Sequence, residues 1–246
     1  MTKPSIGTQI CRGFTDGQWR GLRTRLVENG VIQNDETAWD CAITVFERRI
    51  RERYFSCIEA LRVADSKADV EVGDAPPPDC STLPIASGGN IVVPGFAIMA
   101  LCCLLIETLA SFREDLAEAQ LDGPCPYPKG NCIRPQPLGG KLIRGFLQRP
   151  SFGQAFAEEE VAKSFVRGIR DGILHEAETR RWVIWREDPP GLVVEHEGKQ
   201  HWLNRTAFCL ALEREFDAYV ADLRDSRNEE LRKRFVRKMD DIVKNC

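Results

Sequence analysis

The stretch FVRGIRDGILHEAETRRWVIW, residues 165–185, changes its period partway along. Phe165, Ile169 and Ile173 step by four and continue back to Val161, so a helix is expected from about Glu158 to Glu178 with that stripe buried. The following RWVIWR (181–186) alternates like a β-strand. LVVEH (192–196) and KQHWLN (199–204) follow, set apart by the turn-like EDPPG and EG. Together they predict a small antiparallel β-meander at about 181–203. Asn204 then stands where a helix needs a cap, ahead of Phe208, Leu212, Phe216, Tyr219 and Leu223 at helical spacing. The fold class that results is mainly α, a helical bundle with a small antiparallel β-meander insert.

Working outward, the same periodicity recurs. A short first helix is expected over Asp16–Glu28, capped by Thr15, with Trp19, Leu22 and Leu26 inward and Gly30 just past its end. Trp39, Ile43, Phe46, Ile50, Tyr54, Cys57 and Leu61 form an apolar stripe of about six turns, with Arg48, Arg49, Arg51 and Arg53 on its other face. The apolar run after Pro94 predicts a fully buried helix to about Ala119. A last helix carries Leu231, Phe235, Met239 and Ile242. Residues 64–94, with DAPPPDC and ASGGN, read as a long loop or insertion. Residues 122–153 hold six prolines and read as a second long connection, with one helical turn at 142–147. The chain divides into an N-terminal helical segment with its loop (1–90) and a helical domain carrying the meander (91–246), read as one compact unit.

The 246 residues carry a net charge of −3, so overall charge does not draw the chain to nucleic acid or anionic membrane. A cytoplasmic location without a membrane span is expected. The uninterrupted apolar core, Phe96–Ile106, is shorter than the roughly 20 residues a bilayer requires. Ten cysteines show no zinc-site spacing: Cys125 and Cys132 have six residues between them, and Cys102 and Cys103 are adjacent in an apolar run. They read as buried or incidental thiols, and neither a metal nor a cofactor is expected. A Gly-rich phosphate loop, an HExxH pair and a serine-nucleophile motif are all absent from the sequence.

Chemistry concentrates at RDGILH, residues 170–175, which holds the first of three histidines. Gly168 and Gly172 stand four apart and clear bulk from one strip of the helix, for packing within the chain or for contact with a second copy. Arg170 and His175 diverge by about 140° on an ideal helix, so one helix does not aim both at one atom. A two-fold pairing of helices could. Asp171 shares a face with His175 and could orient the imidazole. Glu107, in the apolar helix, either partners Arg170 or marks that helix's emergence into water, and the second reading is preferred.

Arg, then Asp, three variable residues and His, well inside a late helix of a mainly helical chain, resembles the signature of the HEPN superfamily. The likeness covers six residues closely and about residues 95–245 in architecture. The resemblance implies a metal-independent endoribonuclease acting as a homodimer, with Arg170 and His175 at the scissile phosphate, Asp171 supporting, and 2′,3′-cyclic phosphate ends as product. It further implies a bacterial stress, toxin or phage-defence setting with an antitoxin or activator protein, or else a catalytically silent binding or scaffold member. Many family members have a tyrosine two residues after the histidine. Ala177 stands there, which argues against regulation by modification at that place.

Three other features are read as structural. His196 and His201 flank the turn of a solvated hairpin. The tryptophans of RRWVIWR pack on helices rather than on RNA. The arginine cluster at 48–53 and the cluster Arg232, Lys233, Arg234, Arg237 and Lys238 are solvated faces, with phosphate contact as the alternative.

Overall fold

A computed structural model of the chain describes residues 8–66, 94–114, 138–186, 191–196 and 200–244. Two small hairpins, β1 (Gln9–Cys11) with β2 (Phe14–Thr15) and β3 (Val27–Glu28) with β4 (Val31–Ile32), flank α1 (Asp16–Leu26). Thr15 closes a capping box with Gln18 and so satisfies the exposed N–H groups of the first turn. Trp19, Leu22 and Leu26 are buried, as their spacing predicts.

The long amphipathic stripe forms α2 (Glu36–Ile50) and α3 (Ser56–Ser66), joined by a π-helical turn at Arg51–Phe55. A π turn adds one residue to the helix and shifts the phase of everything after it. Cys57, expected inward, is therefore exposed, and Ile58 is buried in its place.

The central helix is α4 (Gly95–Arg113), which packs on α3 and α8 (Arg205–Arg224), on α5 (Leu138–Leu147), on α9 (Glu229–Lys244) and on both π turns. It is long and apolar enough to cross a membrane by length and composition, yet these contacts are those of a core helix. It ends at Arg113, where Glu114 turns extended, and it is not buried all round: Phe96 and Leu104 are exposed. α5 is ten residues long, not the single turn expected. The apolar core runs continuously from Ile10 to Val243, so both sides of residue 90 build it. Phe46 sits among Phe112, Phe216, Tyr219 and Phe235 with ring centroids 4.7–5.9 Å apart.

After a 3₁₀ segment (Pro150–Phe156), the helix expected at 158–178 is found as one continuous run, α6 (Glu159–Phe165), a second π turn (Val166–Asp171) and α7 (Gly172–Glu176). Strands β5 (Trp182–Trp185), β6 (Val193–His196) and β7 (Gln200–Asn204) form a sheet whose order is β5-β7-β6. β6 and β7 make the expected hairpin, but β5 joins the far edge of β7 in parallel, with Trp182 opposite His201. The sheet is mixed and not an antiparallel meander. In that position Trp182 packs against the Gly168 strip on one side and stacks on the His201 ring on the other. The turns expected at 187–190 and 197–199, and most of the two long connections with Cys125 and Cys132, lie outside the described residues.

Candidate functional site around Arg170

Gly168 and Gly172 let the chain fold back on its own helix. A Cβ on Gly168 would stand 2.4 Å from Trp182 Cδ1 and 2.8 Å from the Arg180 carbonyl oxygen. One on Gly172 would stand 2.3 Å from the Glu178 carbonyl oxygen. Of the two readings of this strip, packing within the chain is the one found, with a returning loop and an indole as the partner. Ala177 makes the reversal in the left-handed region (φ 53°), and Glu178 N–H donates to the Gly172 carbonyl at 3.2 Å.

The π turn carries Arg170 toward α4. Its Nε donates to Glu107 Oε1 at 2.9 Å, its Nη2 lies 2.8 Å from the same oxygen, and its Nη1 donates to Asp171 Oδ1 at 2.8 Å. Glu107 thus partners Arg170 across 63 positions, and the preferred reading of it as a mere exit from the core is corrected. Asp171 likewise serves Arg170 and makes no hydrogen bond or ion pair with His175. Burial pulls the guanidinium down, but the bond from Asp171 and the charge of Glu107 outweigh it and hold Arg170 above its ordinary range. Arg170 and Glu107 are each a little over a fifth exposed. A guanidinium has five N–H groups, so one on each terminal nitrogen remains for a ligand. Beneath the pair, burial and then the charge of Glu107 push the Cys103 thiol up to about 12, which makes it an inert apolar neighbour.

His175 is exposed on the last turn of α7, beside the exposed Leu174. It has no hydrogen bond or ion pair with Arg170, Glu107 or Asp171 among the described residues. Within one chain, then, the arginine is built into a network while the histidine faces solvent.

Two expectations elsewhere need correction. His201 is buried and stacked on Trp182 with centroids 4.6 Å apart, so it belongs to the core of the sheet and not to a solvated hairpin. The His196 side chain lies outside the described residues. The basic clusters are solvated faces only in part: Arg48, Arg53 and Arg237 are exposed, whereas Arg49 and Arg53 donate to the Ile10 carbonyl, Arg51 pairs with Glu213 and Asp217, and Arg232 is fully buried over Trp39. Trp182 packs as expected, whereas Trp185 is exposed.

Sequence reasoning missed a buried ion group. Asp65, the penultimate residue of α3, accepts from Arg205 and from Arg186 (3.0 Å). These residues border a cleft of about 490 Å³ that also takes in Phe96 and Trp182. No metal-type cluster of His, Cys, Asp and Glu occurs among the described residues. Scans against known protein families, curated proteins and solved structures find no match to this chain.

Proposed function

We propose that this chain is a metal-independent endoribonuclease of the HEPN type that acts as a homodimer, with Arg170 and His175 catalytic and Glu107 and Asp171 holding Arg170. One observation carries the reading. Arg170 is fixed by carboxylates from two elements with terminal N–H groups to spare, and the same helix presents an unengaged, exposed histidine five residues on. His175 takes the proton of a ribose 2′-hydroxyl, and the 2′-oxygen attacks phosphorus. The 5′-oxygen leaves with a proton from water, and Arg170 stabilises the charge on the phosphoryl oxygens. Arg170 and His175 make no contact within one chain, and in this reading a dimer joins the arginine of one subunit to the histidine of the other. The exposed Leu104 and Leu174, on the elements that carry Glu107 and His175, supply apolar surface for that pairing. RNA is the substrate, the setting a cytoplasmic bacterial stress or phage-defence system, and an antitoxin or activator protein the natural regulator.

A second reading is a catalytically silent binding module. It draws on the same network: both edges of Arg170 already face carboxylates, and the trio carries a net negative charge. Incubating the full chain with single-stranded RNA in excess chelator separates the two. Cleavage that persists in chelator and leaves 2′,3′-cyclic phosphate ends is the expected result. Intact RNA after prolonged incubation with a confirmed dimer would assign the chain to the silent class.

A further inference from the structure

A second cluster of charge lies on α4, six residues beyond Glu107 and so about 9 Å along the helix and about 120° around it. There the C-terminal end of α4 meets α5 and α9 around a cavity of about 280 Å³, lined by Arg113, Arg149 and Arg234, one carboxylate (Glu114), and the apolar Phe146 and Leu231. Arg113 is 9% exposed. Its Nη1 donates to Asp222 at 3.0 Å, its Nη2 lies 3.2 Å from Glu215 Oε1, and its guanidinium stacks over Tyr219 at 4.8 Å. Among the described residues its buried Nε has no hydrogen-bond partner, and neither has the buried Tyr219 hydroxyl.

The carboxylate behind the cavity is already occupied. Glu215, 2% exposed, accepts from Arg149 Nε and, at 3.0 Å, from Ser151 Oγ. Arg234 gives Nη1 to the Arg113 carbonyl at 2.9 Å, which caps α4, and keeps its other donors. Among the described residues, three arginines thus line one cavity beside a single carboxylate, Glu114, and one of them, Arg113, has a buried N–H with no hydrogen-bond partner. Burial, and then the like charge of Arg149, pull Arg113 below its ordinary range against the opposing bond from Asp222 and charge of Glu215.

We propose that this cavity binds the phosphate group of a small phosphorylated molecule. Planar guanidinium forks match tetrahedral phosphate oxygens, and several arginines around one space make the usual setting for that anion. The volume lies just below the roughly 300–1,000 Å³ of pockets that enclose drug-sized ligands, which suits a phosphate with a small attached group. The site stands whether or not Arg170 and His175 cut RNA.

The test is titration calorimetry and thermal melting of the full chain with inorganic phosphate, against chloride at equal ionic strength. Saturable binding at about 1 mM or tighter is expected, with a melting temperature that rises with phosphate concentration. Arg234→Gln removes one fork. Gly145→Met fills the cavity and keeps every charge. Gly145 is on α5, where an added Cβ would stand 3.5 Å from Glu114 Oε1, an ordinary contact, and this variant, once its melting curve shows it folded, decides the matter if Arg234→Gln does not. Affinity is expected to fall about tenfold or more in each folded variant. A phosphate response no greater than that of chloride, or unchanged affinity in either folded variant, overturns the proposal. Displacement of bound phosphate by a single-stranded RNA oligonucleotide overturns the assignment to a small molecule.

Discussion

Replacing His175 with alanine is expected to lower RNA cleavage by about 10²–10⁴-fold, the range for loss of a positioned general base. The protein should remain folded and equally stable. His175 is exposed and makes no hydrogen bond or ion pair with the Arg170 network, and exposed substitutions of that kind stay within about 0.5 kcal/mol. Activity and stability therefore separate at this residue. Cleavage rates and urea unfolding, measured on the same preparation, check both halves. A variant that keeps wild-type cleavage would remove His175 from the mechanism.

The largest expected effect on stability lies at Glu215. Its carboxylate is buried, receives Arg149 and Ser151, and faces the buried Arg113. Removing one partner of a buried ion group leaves the others desolvated and uncompensated, which costs about 3–5 kcal/mol. Arg149 is about a third exposed, so solvent screens its share and the cost falls mainly on Arg113. Glu215→Ala is thus expected near 3 kcal/mol, a fall in Tm of roughly 6–12 °C for a chain of this size. Glu215→Gln, which keeps the shape and some hydrogen bonding, should lose less. A fall of under about 1 kcal/mol for the alanine variant would mean that the group is not buried as a unit.

Much of the helical framework was legible because it depends on local spacing. The Thr15 and Asn204 caps, the α1 stripe, and Phe208, Leu212, Phe216, Tyr219 and Leu223 on α8 lie where their order in the chain places them. The two π turns were not legible, because an added residue in a helix leaves no mark until a neighbouring helix selects the shifted face. Cys57 and Ile58 exchange roles for that reason. Strand order is not legible in the sequence, because strands adjacent along the chain need not be adjacent in the sheet: β5 pairs with β7 and not with β6.

The site divides the same way. Arg170, Asp171 and His175 stand out by their spacing, but that spacing does not show which of them pair. Asp171 turns to Arg170, and Glu107 reaches it from a helix 63 positions away. Glu215 did leave a signal: it lies between Leu212 and Phe216 on the buried face of α8, and a charge on such a face requires a partner. Asp65 and Arg205, 140 positions apart, left none.

The central claim is that Arg170 and His175 meet across a dimer, and co-expression of Arg170→Gln with His175→Ala tests it most directly. Each variant alone should cleave at background. In a statistical mixture half the dimers are mixed, and each mixed dimer holds one intact pair out of two, so about a quarter of wild-type activity should return. A mixture that stays at background, although subunits demonstrably exchange, would contradict a site shared between two chains.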